Sequence, residues 1–242
     1  MKVYQIPEAS RQSKGKAIVN LVSLGEGETI AAFIPVREFD DKHFLSLITK
    51  DGIIKKTNLS EYSRPRQGGI IAITLDDGDM LITALLTDGT NQIMIATKDG
   101  VACRFDESDA RPIGRTGKGV KGITLDKGDE VVGAVIAVEK KTLLTITENG
   151  YGKRSAIDEY RLINRGGKGV INIQCTERNG KVVAVKEVDE EDDIMLISQT
   201  GIVIRVPVRT ISVIGRNTQG VRIMKLEDKD KIASAAKIAR EE

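Results

Sequence analysis

The sequence contains no tryptophan, only one histidine and only two cysteines among its 242 residues. Two cysteines, Cys103 and Cys175, are too few for a disulfide framework, and both lie in apolar strand contexts that are typical of buried thiols. A single histidine, His43, excludes most zinc sites, Ser-His-Asp triads and Cys-His dyads. Aromatic residues make up 3% of the chain, which disfavours a stacking surface for single-stranded nucleic acid.

Long hydrophobic runs are also missing. No apolar stretch approaches the roughly 18 residues of a membrane-spanning helix, and the N-terminus lacks the apolar region of a signal peptide. The chain has 40% hydrophobic and 30% charged residues, which is typical of a globular protein with a real core. We therefore expect a soluble cytoplasmic chain with no membrane partner. Separately, we expect the isolated domain to be monomeric.

Two segment types alternate along the whole chain. The first type has an apolar strand, a turn that ends in glycine, and a basic strand. Its turn glycines are Gly52, Gly100, Gly150 and Gly201. The second type has a leading glycine, an apolar strand, an acidic turn and another apolar strand. Its leading glycines are Gly15, Gly69, Gly119, Gly169 and Gly220. Repeat units of about 50 residues follow, approximately 1–42, 43–91, 92–141, 142–192 and 193–242.

Each segment type is typical of a β-hairpin, because two β-branched runs flank a turn whose residues tolerate positive φ. Only 230–242 could form a helix, and this tail could equally continue the last strand. One repeat would then hold four strands, as a propeller blade does. We predict an all-β, propeller-like single domain over 1–242, with about five four-stranded blades.

The opening segment MKVYQIPEAS resembles the latter half of a first-type unit. A first-type glycine usually precedes the second-type glycine by 19 residues, which places the former half before Met1. The chain then holds four complete first-type units, one half unit and five second-type units. We expect either a fragment of a longer polypeptide or a ring that closes imperfectly.

Basic residues concentrate in the linkers between the segment types and in the strands before them, whereas acidic residues cluster in the second-type turns. A repeated fold places equivalent residues on the same rim, so we expect a basic band that is separated from the acidic turns. Such a band would attract the phosphates of duplex DNA without sequence preference. The candidate DNA-binding residues are Arg11, Lys14, Lys16, Lys55, Lys56, Arg64, Arg66, Arg104, Arg115, Lys118, Lys153, Arg154, Arg165, Lys168, Arg205 and Arg216.

Other interpretations of these residues remain open. The basic side chains could form a solvated face paired with carboxylates, or a propeller surface that binds an acidic partner protein. The G-x-G-x-x-G at Gly117, Gly119 and Gly122 is followed by a strand pattern instead of a helix, which disfavours a dinucleotide site. The acidic turns fit turn chemistry better than a calcium loop. A small-molecule enzyme would need a catalytic constellation that the sequence does not offer.

Four segments closely resemble the C-terminal domain of the A subunit of DNA gyrase. They are MKVYQIPEASRQSKGKAIVNL, TENGYGKRSAIDEY, TERNGKVVAVKEV and ISVIGRNTQGVRI, and the similarity runs in order over essentially the whole chain. The topoisomerase IV counterpart shares the repeat but resembles these segments less. The resemblance implies a six-bladed β-pinwheel, in which neighbouring blades exchange strands. It also implies that the domain is non-catalytic and binds and wraps duplex DNA.

The same resemblance implies partners and cofactors that lie outside this chain. The rest of the gyrase A subunit, together with the gyrase B subunit, would complete a type II topoisomerase, in which wrapping supports ATP-dependent negative supercoiling. The catalytic tyrosine, ATP and magnesium belong to those parts, so we expect no cofactor or metal here and no nucleophilic tyrosine. The family's first blade carries Gln-Arg-Arg-Gly-Gly-Lys-Gly, whereas this chain has the related Asn164–Gly169 in a later blade.

Overall fold

The computed structural model describes residues 3–10, 13, 16–17, 20–22, 24–25, 27–66 and 68–238. Over these ranges the regular elements are β-strands and short 3-10 turns, with no α-helix and hence no helix that could cross a membrane. In chain order the strands are β1 (Phe44–Thr49), β2 (Ile53–Asn58), β3 (Leu81–Thr87), β4 (Gln92–Thr97), β5 (Val101–Asp106), β6 (Val120–Lys121), β7 (Val131–Ile136), β8 (Thr142–Thr147), β9 (Tyr151–Ala156), β10 (Val170–Ile171), β11 (Val182–Val188), β12 (Asp193–Ser198), β13 (Val203–Pro207), β14 (Val221–Arg222) and β15 (Ile232–Lys237). Within the ambiguous tail, residues 232–237 form a strand, β15.

The strands form four antiparallel sheets with a common plan. Sheet A has the order β3-β1-β2-β6, sheet B β7-β4-β5-β10, sheet C β11-β8-β9-β14 and sheet D β15-β12-β13. A hairpin from one first-type segment forms the centre of every sheet. In sheets A to C the outer strand comes from the next repeat along the chain. This exchange confirms the all-β propeller-like prediction in its pinwheel form.

The prediction that the second segment type is a hairpin is wrong. In the segment that Gly119 begins, β6 pairs with β2 in sheet A, whereas β7 pairs with β4 in sheet B. Gly119 has a φ of +96°, and a Cβ there would lie 2.6 Å from the carbonyl oxygen of Ile54. Only glycine lets the chain pass this close to the neighbouring hairpin. The acidic turn therefore connects two sheets.

Apolar clusters between successive sheets form the core. Along β4, Ile93 and Ile95 face the cluster shared with sheet A, while Met94 and Ala96 face the one shared with sheet C. Side chains of a strand alternate between its two faces, so a fully apolar strand packs against a sheet on each side. A third cluster joins sheets C and D. The inner strands β3, β7, β11 and β15 contact one another in this order.

The first repeat unit, residues 1–42, differs from the others. In the described part of residues 1–42 the regular element is a 3-10 turn at Val3–Gln5, and no strand is assigned. An apolar cavity of about 580 Å³ lies between residues 29–39 and sheet A, lined by side chains such as Ile34, Phe39 and Leu47. Its lining is predominantly apolar.

Candidate nucleic-acid interface

The linkers between segment types join into one continuous strip along the outer edges of sheets A to C. We call this strip the linker track and define it as residues 63–66, 68–74, 111–124, 161–174 and 212–224. Each linker hydrogen-bonds to the next through its backbone. The N–H groups of Thr74, Thr124 and Gln174 donate to the carbonyl oxygens of Gly117, Gly167 and Thr218 at 3.2, 3.0 and 2.9 Å.

Three equivalent arginines, Arg115, Arg165 and Arg216, fasten each linker to its neighbours. The backbone N–H of Arg216 donates to Glu159 Oε2 at 3.1 Å, and its Nη1 donates to the carbonyl oxygen of Ile171 at 2.7 Å. Its guanidinium also lies 5.6 Å from the Tyr160 ring centre, within cation–π range. Arg115 and Arg165 repeat the pattern with the acidic residues Glu61 and Asp109 and with the carbonyls of Ile71 and Lys121. These half-buried side chains shape the track and present only part of their surface to solvent.

Five of the sixteen candidate residues are buried, so the expectation that they lie on an exposed band is wrong. They are Lys55, Lys56, Arg104, Lys153 and Arg154, with exposed fractions of 0, 4, 8, 0 and 4%. Three of them occupy equivalent strand positions and donate to carbonyl oxygens in the 3-10 turn of the next unit or directly after it. The bonds run from Lys56 Nζ to Glu107 at 2.9 Å, from Arg104 Nη1 to Ile157 at 3.0 Å and from Arg154 Nε to Ile211 at 2.8 Å. These cations therefore join successive blades.

Arg205 holds the same repeat position in sheet D and behaves differently. No turn of a following unit covers it within the described residues, and its side chain is 64% exposed. Its Nε donates to Asp193 Oδ2 at 2.9 Å. The accessibility of this position thus depends on the neighbouring blade and not on the local sequence.

The two remaining buried lysines connect a strand to the linker track. Lys55 Nζ donates to Thr57 Oγ1 at 2.6 Å and to the carbonyl oxygen of Ala72 at 2.8 Å. Lys153 Nζ donates to Ser155 Oγ, which in turn donates to the carbonyl oxygen of Ile214 at 2.7 Å. Burial lowers the pKa of each lysine to about 8, because the charged form is poorly solvated.

Basic linkers and acidic turns meet at two places, which contradicts the expected separation of charge. Lys118 forms an ion pair with Asp76, and Lys168 Nζ lies 2.9 Å from Asp126 Oδ1. All four side chains are largely exposed, at 63, 63, 73 and 74% respectively. Exposed pairs of this kind contribute about 0–1 kcal/mol, so a phosphate can displace the carboxylate at little cost.

Lys16, Arg64 and Arg66 are exposed as expected, and no ion pair involves them in the part of the chain that the structure describes. Arg11 and Lys14 lie outside the described residues. The sequence reasoning missed Arg111 and Arg161, which are exposed on the linker track directly after the buried residues Ala110 and Tyr160. Their spacing of 50 residues equals that of Lys118 and Lys168 and could have identified them.

The track provides cations and backbone amides, and the described residues contain no His, Cys, Asp and Glu grouping that could hold a metal. His43 Nδ1 pairs with Asp40 Oδ2 at 2.7 Å. Cys103 is buried as predicted, and desolvation raises the pKa of its thiol to about 11. Cys175 is only half-buried. Because the linker track offers cations and backbone amides, the chemistry that it supports is electrostatic binding of a polyanion.

Comparison with known proteins identifies the repeat. The family model described as DNA gyrase C-terminal domain, beta-propeller, matches residues 1–37, 43–88, 91–137, 141–189 and 192–239. The A subunit of DNA gyrase from Halalkalibacterium halodurans is 53% identical over 98% of the chain and 29% of its own length. The Salmonella typhimurium counterpart is 46% identical over 99% of the chain and 27% of its length. The chain thus spans little more than a quarter of these curated relatives.

Solved structures share the architecture. The chain superimposes on a crystal structure of the C-terminal domain of DNA topoisomerase IV with a TM-score of 0.89 and 26% identity, over 98% of the chain and 74% of that structure. A structure of the DNA gyrase A C-terminal domain gives a TM-score of 0.84 and 28% identity, over 94% of the chain and 76% of that structure.

Proposed function

Because the chain belongs to the family of DNA gyrase C-terminal domains with a β-propeller fold, we propose that it binds duplex DNA along the linker track and bends the DNA around its outer edge. The observation that carries the proposal is the unbroken chain of linker-to-linker hydrogen bonds, which places exposed cations along one strip. The linker track is narrower than the basic band expected from the sequence, because the five basic strand residues named above are buried.

The cations available to phosphates lie on the linker track or in the linker of the opening unit. They are Lys16, Arg64, Arg66, Arg111, Lys118, Lys121, Arg161, Lys168 and Arg222. Lysine and arginine neutralise phosphates and release condensed counterions, which makes binding independent of sequence and steeply dependent on salt. The half-buried Arg115, Arg165 and Arg216 contribute to DNA binding indirectly, because they hold neighbouring linkers in register.

Bending the duplex around this edge costs energy that phosphate contacts must offset. Smooth bending of 20–30 base pairs by 40–90° costs of the order of 1–6 kcal/mol. A strip that spans three neighbouring sheets supplies contacts over several successive phosphates and so favours the bent path. The backbone amides of the glycine-rich linkers can add hydrogen bonds to phosphate oxygens.

In the longer protein, we infer that this wrapping serves ATP-dependent negative supercoiling in the bacterial cytoplasm. The remainder of the gyrase A subunit and the gyrase B subunit would supply strand cleavage, ATP hydrolysis and the magnesium ions. The chain itself would act without catalysis or cofactor. It would present a segment of DNA in a fixed crossing, as the family resemblance implies.

Charge reversal tests the linker track directly. The variant Lys118→Glu/Lys168→Glu is compared with Lys42→Glu/Lys140→Glu, which reverses two exposed lysines in the loops before β1 and β8. We expect the track variant to lose duplex affinity by at least tenfold relative to this control, measured by fluorescence anisotropy over a series of salt concentrations. Equal losses in both variants would contradict the proposal, and so would an affinity that is independent of salt.

Wrapping needs a separate experiment. A nicked DNA circle is ligated in the presence of the chain, and the linking number of the product is measured. A shift shows that the chain wraps DNA, and the track variant is expected to reduce it. Binding without any shift would limit the function of this chain to DNA binding, whereas competition by an acidic protein but not by duplex DNA would support a protein partner instead.

A further inference from the structure

Two arginines converge on one tyrosine at the outer edge of sheet C. Tyr151 begins β9 and is 5% exposed. Its phenol oxygen accepts a hydrogen bond from Arg178 Nε at 3.3 Å and another from Arg222 Nη2 at 2.9 Å. Both guanidinium groups also lie over the ring, with their central carbons 5.1 and 5.4 Å from its centre.

This cluster carries two positive charges without a counterion among the residues that the structure describes. Neither Arg178 nor Arg222 forms an ion pair with a described carboxylate, although both are exposed. The hydrogen bond from Arg178, followed by that from Arg222, lowers the pKa of the Tyr151 phenol, as a positive local potential does. Two like charges held on one ring repel each other, and an anion between them would relieve the repulsion.

Free donors remain on both guanidinium groups. The Nη atoms of Arg178 and the Nε and Nη1 atoms of Arg222 have no hydrogen-bond partner among the described residues. A guanidinium presents its donors in a planar fork that matches two oxygens of a phosphate. We propose that Arg178, Arg222 and Tyr151 form a phosphate-binding site at the edge of sheet C.

The same place in the other sheets lacks this arrangement. The residue that corresponds to Tyr151 is Ile53 in sheet A, which pairs with Lys121, and Val101 in sheet B, which pairs with Ile171. The arginine pair is therefore not needed to join an exchanged strand to its sheet. Its presence in sheet C requires an explanation other than the repeat, and anion binding provides one.

A phosphate can reach this site from two sources. Arg222 lies at the end of the linker track, so a phosphodiester of bound duplex DNA could extend onto the cluster; this source rests on the proposed function. In the absence of DNA, a free phosphate ester could bind the same two guanidinium groups through its oxygens. The chemistry that the site recognises is the same in both cases.

The test compares Arg178→Gln/Arg222→Gln with the control Lys42→Gln/Lys140→Gln, which removes the same charge elsewhere. One arm measures duplex binding as a function of salt. Loss of two phosphate contacts should reduce the slope of log K against log salt by about 1.8. The other arm titrates inorganic phosphate at constant ionic strength and follows by NMR the backbone N–H signal of Tyr151, which every variant retains. A reduced salt slope or a lost phosphate response in the double variant, with both unchanged in the control, supports the site and identifies its source.

The proposal is overturned if the double variant matches the control in both arms. This outcome is distinct from failure of the proposed function, in which the unmodified chain itself would not bind duplex DNA. Thermal unfolding of each variant checks that it is folded. Should the glutamine variant unfold, Arg178→Lys/Arg222→Lys replaces it, because lysine keeps the charge but lacks the planar fork and should lose most of the phosphate response.

Discussion

Lys168 Nζ lies 2.9 Å from Asp126 Oδ1, and this ion pair joins a basic linker to the acidic turn of the preceding unit. The pair between Lys118 and Asp76 repeats the relationship one unit earlier. Acidic turns therefore neutralise part of the linker track in the free chain. Under the proposed function, a bound duplex has to compete with these carboxylates for the lysines, so the acidic turns should lower the affinity for DNA.

Removal of the competing carboxylates should strengthen DNA binding. For Asp76→Asn/Asp126→Asn we expect an affinity gain of up to about fivefold per site, because an exposed ion pair contributes about 0–1 kcal/mol. The control Asp228→Asn changes the charge in an exposed turn of the last unit. The affinity of each variant is measured by anisotropy titration with one duplex at one salt concentration. The gain in affinity is then divided by the number of charges removed. If this value is no larger for the double variant than for the control, the carboxylates do not compete with DNA.

Arg104 should matter for stability and not for DNA binding. Its guanidinium donates to the carbonyl oxygens of Ile157 and Tyr160 at 3.0 and 3.2 Å. Arg104→Met would remove both bonds, and the Ile157 carbonyl would keep only the backbone N–H of Tyr160. A hydrogen bond to a charged group contributes about 1.5–3 kcal/mol, so we expect a loss of that order in urea unfolding. The control is Arg205→Met at the equivalent exposed position, with an expected loss below about 1 kcal/mol. Similar losses would refute the role of Arg104 in joining blades.

These two arginines show what the sequence could and could not predict. The four hairpins and their turn glycines follow from local patterns, because turn chemistry and alternation act within a few residues. Burial of Arg104 depends on a turn more than 50 residues away. The sequence around Arg205 has the same pattern, yet this residue is exposed. A basic strand residue therefore does not indicate a binding surface until the packing of the next blade is known.

The second segment type illustrates a similar limit. Its glycine, turn and flanking apolar runs satisfy every local rule for a hairpin, yet its strands join different sheets. Local rules do not specify which sheet a strand enters. The strand exchange was predicted only through the family resemblance, while the linker track emerged from backbone contacts between units.

Gly119 should be intolerant of any side chain. For Gly119→Ala, the new Cβ would lie 2.6 Å from the Ile54 carbonyl oxygen at a φ of +96°, so β6 could not approach sheet A without a shift of the backbone. We expect a destabilisation above about 2 kcal/mol in urea unfolding. Gly128→Ala is the matched control, since its φ of +85° carries similar strain but its Cβ would meet nothing within 4 Å. Left-handed strain alone costs about 1–2 kcal/mol. Equal effects would show that close approach is unimportant at Gly119.

The buried lysines should make stability rise with alkaline pH. Their pKa is lowered from 10.5 to about 8 in the folded chain, so between these values the unfolded chain binds more protons. The free energy of unfolding therefore increases as pH rises through this window, by at most about 3 kcal/mol per lysine. We expect Lys55→Met/Lys153→Met to remove this increase relative to the unmodified chain. Urea unfolding at several pH values between neutrality and about pH 9.5 tests it, and parallel pH profiles would contradict the prediction.

Arg111 and Arg161 should contact DNA although the sequence reasoning missed them. Both are exposed on the linker track and have no ion pair among the described residues, so phosphates face no competing carboxylate there. Because each phosphate contact contributes about 0.9 to the slope of log K against log salt, Arg111→Ala/Arg161→Ala should reduce that slope by about 1.8. Lys42→Ala/Lys140→Ala, with the same charge loss before β1 and β8, should leave the slope nearly unchanged. A reduced affinity with an unchanged slope would place these arginines outside the phosphate contacts and shift the DNA path away from this side of the linkers.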